Sequence, residues 1–105
     1  MYKIGALEEL VILLVAALQE DAYAVSIRRE YVQRTSKDIS IPAIHTVLKR
    51  LEDKGLLRSQ DSAPTKERGG RKKRIYTLTN SGYQLITELR NQREELWTLI
   101  PKMSF

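Results

Sequence analysis

SIPAIHTVLKRLEDKG, residues 40–55, carries a complete helix from its start signal to its stop. Ile44, Val47, Leu48 and Leu51 recur at i, i+3, i+4 and i+7, the spacing of a helix with one buried face. With about 100° of turn per residue these four share one side. Pro42, His45, Thr46, Lys49 and Asp53 share the other. Pro42 suits the first turn, where its missing N–H has no intrahelical partner to lose. Ser40 can cap the start, and Gly55 can take the left-handed conformation that ends a helix. The pattern predicts a helix over 41–54 with one apolar face and one small, polar, mildly basic face.

The flanking residues set that helix in a larger pattern. Residues 24–36, AVSIRREYVQRTS, predict a preceding helix with Ile27, Tyr31 and Val32 inward and Arg28, Arg29, Gln33 and Arg34 outward. Ser36, Lys37 and Asp38 form a polar turn between the two. Two short helices joined this tightly make a helix-turn-helix pattern. Downstream, Leu57 opens one extended run, and Ile75, Tyr76, Thr77 and Leu78 form a β-prone second one. The segment between them is turn-rich, with Pro64, Gly69 and Gly70. The expectation is a wing hairpin over 57–78, with Lys72 and Arg74 on one strand face and Ile75 facing the core. A lone hairpin is marginal in water, so it must pack on the helices. A helix-turn-helix followed by a basic hairpin is a winged helix.

Charge is distributed unevenly. The net charge is +5, yet residues 66–74, KERGGRKKR, hold six basic residues and one acid. The remaining 12 basic and 12 acidic residues cancel. A run of this kind reads either as a solvated loop or as the electrostatic footprint for a polyanion, nucleic acid first among them.

The ends of the chain carry unmatched apolar surface. Residues 10–18, LVILLVAAL, contain no polar member, in a helix expected over 4–20. Leu7, Leu10, Val11, Leu14 and Leu18 form one stripe, while Ile12, Leu13, Val15 and Ala16 cover other sides. A helix apolar all round must be buried all round, more than one small domain supplies. The run is too short to span a membrane. Residues 79–103 predict a last helix capped by Thr79, with Tyr83, Ile86, Leu89, Leu96, Trp97 and Ile100 at near-helical spacing and Arg93 interrupting them. Pro101 stops it near Ile100. A homodimer in which these two helices cover one another is the simplest solution.

At 105 residues the chain is one domain, mainly α with a small β-hairpin. Without Cys and with a single His, neither a disulfide nor a conventional zinc site is expected, and no metal or cofactor is. The start lacks the features of a signal peptide, and the absence of Cys fits a cytoplasmic protein. Gly69 and Gly70 sit on a hairpin, so they are no phosphate loop. With no paired acid and base and no activated nucleophile, an enzyme is not expected.

Over nearly its full length the chain resembles the PadR family of bacterial transcription regulators, in its shorter form with a single C-terminal helix. The matching segments are LEELVILLVAAL at 7–18, AYAVSIRREYVQRT at 22–35, ISIPAIHTVLKRLEDKGLL at 39–57 and, most specific, PTKERGGRKKRIYTLTNSGYQLI at 64–86. The resemblance implies a dimeric winged-helix protein that binds operator DNA, usually as a repressor. It also implies a dimer interface made by the first and last helices, and release in some members by small phenolic or drug-like effectors. Three residues depart from the family pattern. His45 stands where Tyr is common, Pro42 where a small residue such as Gly is usual, and Ala24 where Gly is frequent.

These readings nominate residues. Ser40, Pro42, Ala43, His45, Thr46, Lys49 and Arg50 are placed to enter a major groove, which admits one helix. The bland alternative is an ordinary solvated helix face. Lys66, Arg68, Arg71, Lys72, Lys73 and Arg74 are placed to neutralise phosphates, with Gly69 and Gly70 letting the wing tip turn. Leu7, Leu10, Val11, Leu14, Leu89, Leu96, Trp97 and Ile100 are assigned to the dimer interface. Trp97 reads first as an interface anchor. Its second reading, with Arg93 one turn earlier, is a slot for a small aromatic effector. The partners expected are double-stranded DNA and a second copy of the chain, with no membrane. The rival is a winged-helix protein–protein module that presents the same face to an acidic partner without sequence-specific DNA binding.

Overall fold

The computed structural model describes residues 3–62 and 72–102. Four helices and a two-stranded antiparallel sheet follow in the order α1 (Ala6–Leu18), α2 (Ala24–Thr35), α3 (Ile41–Asp53), β1 (Leu57–Asp61), β2 (Arg74–Leu78) and α4 (Asn80–Thr98). A 3₁₀ turn, Gln19–Asp21, joins α1 to α2. The fold is mainly helical with a small hairpin, a winged helix-turn-helix followed by one long C-terminal helix.

α3 forms as its residues dictate. Ser40 Oγ accepts from the Ala43 N–H at 3.2 Å, and Pro42 lies in the first turn. Gly55 takes φ +75 just past the end, which a Cβ would make costly. Ile44, Val47, Leu48 and Leu51 are buried. They meet Ile27 of α2, Val11, Ile12 and Val15 of α1, and Leu56, Leu57, Tyr76 and Leu78 from the hairpin in one core. Lys54, the α3 C-cap, donates to Glu8 at 2.7 Å and to the Lys3 carbonyl at 2.8 Å, tying the foot of α3 to the head of α1.

α1 is shorter than expected. Gln19 adopts φ 54, which ends regular helix at Leu18. The structure also corrects its faces. Val11, assigned to a dimer interface, is fully buried within its own subunit beside Ile12 and Val15. Leu10, also assigned to the interface, is exposed at 41%, and beside it Leu13, which was not assigned, is exposed at 43%. In a run with no polar residue, apolar spacing carries no directional information, so it could not separate Val11 from Leu13.

The inward face of β2 is likewise one residue from expectation, which placed Ile75 toward the core. Leu57 pairs with Leu78, Ser59 with Tyr76, and Asp61 with Arg74. Tyr76 and Leu78 face the core, and Ile75 is on the half-exposed face. A shift of one residue moves every side chain of a strand to the other face. The Tyr76 N–H donates to the Ala22 carbonyl at 2.8 Å, which fastens β2 to the link before α2.

α4 begins against the body and then leaves it. Thr79 caps it, accepting from the Gly82 N–H at 3.1 Å and donating to the Gly55 carbonyl at 2.6 Å. Gly82 lies so close to the α3–β1 connection that a Cβ there would be 2.3 Å from the Leu56 carbonyl oxygen. Leu85 is the buried side chain of α4, Ile86 and Leu89 pack at the core's edge, and Tyr83 points outward. Arg93, which breaks the apolar spacing, pairs with Glu9 of α1 at 2.8 Å. From Arg90 onward every described residue is exposed, including Leu96, Trp97, Leu99 and Ile100. The helix ends at Thr98, and the Leu99 and Ile100 N–H groups close a tighter final turn before Pro101.

Candidate nucleic-acid interface

The outward face of α3 is exposed along its length. Ser40, Pro42, His45, Thr46, Lys49 and Arg50 are exposed and Ala43 is half-buried, opposite the four core residues. Lys49 makes a 3.5 Å contact with Asp53 in solvent, a weak surface pair that it can exchange for another anion. The Thr46 hydroxyl donates to the Pro42 carbonyl at 3.0 Å. A helix of this width, with small side chains at its N-terminal end, fits a major groove about 12 Å across.

The link that aims α3 is held by a residue that sequence reasoning turned to solvent. Arg28 of α2 donates through Nε to the Ile39 carbonyl at 2.6 Å and through Nη2 to Asp38 at 2.8 Å. Asp38 also accepts the Ile39 N–H at 2.9 Å. This fork fixes the residues just ahead of the Ser40 cap. A pairing ten residues apart across a turn has no periodic signature, so no sequence signal pointed to it.

Of the wing cations, Lys66, Arg68 and Arg71 lie outside the described residues, as do Gly69 and Gly70. Lys72 is exposed. Lys73 sits with its ammonium 3.9 Å from the centre of the Tyr23 ring, a cation–π contact with the start of α2. Arg74 donates to Ser59 Oγ at 3.0 Å and lies 3.3 Å from Asp61. Beneath it Tyr76 is buried. That burial raises its hydroxyl above the usual tyrosine range, the Arg74 charge opposing and the Glu52 charge adding to the effect.

A second feature lies away from α3. A groove of about 580 Å³ runs between α1 and α4, lined by Glu9, Leu13, Tyr83, Ile86, Arg93 and Trp97 among others. It brings together the two residues nominated for an effector, with Arg93 already paired to Glu9. Among the described residues no group of His, Cys, Asp and Glu could hold a metal ion. None of the described helices is long and apolar enough to cross a membrane.

An exposed polar helix, a basic ribbon beside it and a braced turn between α2 and α3 define a winged helix-turn-helix DNA-binding protein. Comparison with known proteins sharpens this. The family profile described as "Transcriptional regulator PadR-like family" matches residues 12–88, and the chain belongs to that family. It is a DNA-binding transcriptional regulator and not an enzyme. A PadR-like transcription factor from Bacteroides fragilis is similar at 27% identity and TM-score 0.70, over 86% of this chain and 82% of that one. A PadR-like regulator from Bacillus cereus shares the fold at 20% identity and TM-score 0.72, over 90% and 86%. So does a PadR family regulator from Clostridium difficile, at 24% and 0.65, over 90% and 92%. No curated protein sequence matches the chain at the same stringency.

Proposed function

We propose that this chain is a sequence-specific, operator-binding repressor that acts as a homodimer and is released by a small aromatic effector. The observation that carries the DNA-reading part is the two-sided character of α3. Its inner face is closed by the core, and its outer face is exposed, polar and flanked by the basic hairpin. The helix reads base edges and the wing grips phosphates, because the charge excess of the chain lies in the wing and not on α3.

Dimerisation is supported by exposed apolar residues on two neighbouring helices: Leu10 and Leu13 on α1, Leu96, Trp97, Leu99 and Ile100 on α4. A two-fold arrangement buries both sets and spaces two α3 helices about one DNA turn apart. The α1–α4 groove supports the effector reading, with Trp97 offering a flat face and Arg93 a positive charge. A planar aromatic acid seated there would compete with Glu9 for Arg93 and shift the arm formed by α4. That motion would change DNA affinity only if the ligand prefers one arrangement.

Selection of duplexes from a random pool, followed by gel shifts with the enriched sequence and with the DNA upstream of the gene, tests the reading. One enriched motif with two-fold symmetry is expected. Dimer contact with ~8 phosphates predicts a slope of about −7 for log K against log salt. Enrichment of no motif would refute sequence-specific binding. Aromatic compounds that never alter Trp97 fluorescence or operator affinity would refute the effector step.

A further inference from the structure

A chain of polar contacts outside the hydrophobic core joins α3 to both strands of the wing. Glu52, in the last turn of α3, accepts the Ser59 hydroxyl proton at 2.6 Å. Ser59, in β1, accepts in turn from Arg74 Nε at 3.0 Å. Arg74, the first residue of β2, reaches its register partner Asp61 at 3.3 Å. Each link has an ionised member, which makes it stronger than a neutral hydrogen bond. Arg74 therefore commits its Nε and one Nη to the protein while its side chain stays half-exposed, although its place in a basic run counts it toward DNA.

We propose that Glu52, Ser59 and Arg74 are positioning residues that set the angle between the recognition helix and the wing, and that Arg74 is not a phosphate contact. A two-stranded ribbon bends and twists readily where it leaves the body. Glu52 is rigidly part of α3, so a bond from Glu52 through Ser59 to Arg74 transmits the helix's orientation to both strands at once. Ordering the ribbon before DNA arrives removes that cost from the binding step. The benefit appears where helix and wing must engage together, on the operator. It does not appear on random DNA, where loose phosphate contact suffices.

The inference rests on the operator-binding reading, and charge-neutral substitutions separate it from plain electrostatics. Ser59→Ala removes both central bonds without changing charge. Arg74→Lys keeps the charge and loses the Nε donor. Each is expected to weaken operator binding about tenfold, the worth of a charge-assisted hydrogen bond, while affinity for random duplex and the salt slope stay unchanged. If Arg74 simply contacts phosphate, both variants bind the operator like wild type. Arg74→Ala then weakens operator and random DNA alike and flattens the slope by about 0.9 for each phosphate lost. Wild-type operator affinity in both variants, or equal losses on operator and random DNA, overturns the positioning role. Glu52→Gln supplies an independent sign. It is expected to weaken operator binding, whereas relief of charge repulsion alone would strengthen binding to any DNA. Thermal midpoints of all four variants identify any that fail to fold, and Arg74→Lys, at a half-exposed site, keeps the test available if Ser59→Ala does. Failure of the wild type to prefer any selected duplex would overturn the operator reading itself, and this inference with it.

Discussion

Replacing Gly82 with alanine sets two effects of known size against each other. Gly82 is the third residue of α4, and alanine is the better helix former there by about 1 kcal/mol. Against that gain stands the Leu56 carbonyl oxygen, 2.3 Å from where the new Cβ would lie, with the Leu56 carbonyl carbon at 3.3 Å and Leu78 Cγ at 3.4 Å. The oxygen cannot swing away. It belongs to the backbone of a fully buried residue and already accepts the Thr79 N–H at 3.1 Å. Relief requires the first turn of α4 to back off by about 1 Å, which opens that bond, strains the Thr79–Gly55 bond and loosens Leu85. Overpacking costs about 1–3 kcal/mol, and each weakened hydrogen bond about 1 kcal/mol. The net expectation is a loss of roughly 2 kcal/mol, a fall in Tm of about 10 °C for a domain this size. Thermal and urea unfolding followed by circular dichroism, at one fixed protein concentration because assembly feeds into apparent stability, measures it. A Gly82→Ala protein as stable as wild type or more so would mean that propensity won, and that α4 is not pinned to the α3–β1 connection.

Further outcomes concern acid stability, the two faces of α3 and the assembly. Burial pushes the Glu8 carboxyl up, but the Lys54 hydrogen bond, the Gly5 N–H and the Lys54 and Arg50 charges outweigh it and hold it below its ordinary value of 4.5. The stability this adds is therefore complete above that value and is lost as pH falls through the lower folded one. Urea midpoints of Glu8→Gln should sit below wild type at neutral pH and converge with it in acid, and a constant gap would contradict the pairing. Ile44→Ala, at a fully buried site, should cost about 2–5 kcal/mol in chemical unfolding. Its exposed neighbour His45→Ala should stay within about 0.5 kcal/mol of wild type yet change the selected DNA motif. Leu13→Glu on the exposed side of α1 should shift sedimentation equilibrium from twice 12.1 kDa toward 12.1 kDa, while Leu7→Glu, on a partly covered position, should unfold the subunit as well. A Leu13→Glu dimer as tight as wild type would move the interface elsewhere.

How much of this was legible depended on the range of the interaction. α3 could be read in full, because its cap, its Pro42, its apolar spacing and its closing Gly55 are all decided within a few residues. The hairpin could be read as a hairpin, but its register could not. Ile75 and Tyr76 are both β-prone, and nothing local says which one faces the core. In α1 the difficulty was the opposite. A run with no polar member offers every face to the core, so Val11 and Leu13 could be told apart only by what packs on them. Arg93 looked like an interruption, and it is the α4 end of an ion pair with Glu9.

Propensity, periodicity and composition act locally and survive without a tertiary structure, so the order of residues alone settles the class of fold, the extent of α3 and the location of the charge. Which of the basic side chains find partners within the fold is settled by packing alone. Lys73 against Tyr23 and Arg74 against Ser59 and Asp61 are contacts between segments far apart in the chain, and folding alone brings them within reach. The same holds for the approach of Gly82 to Leu56 and for the side of α1 left uncovered. Charge can be counted along a chain, but whether a charge is already satisfied is a property of the packed molecule.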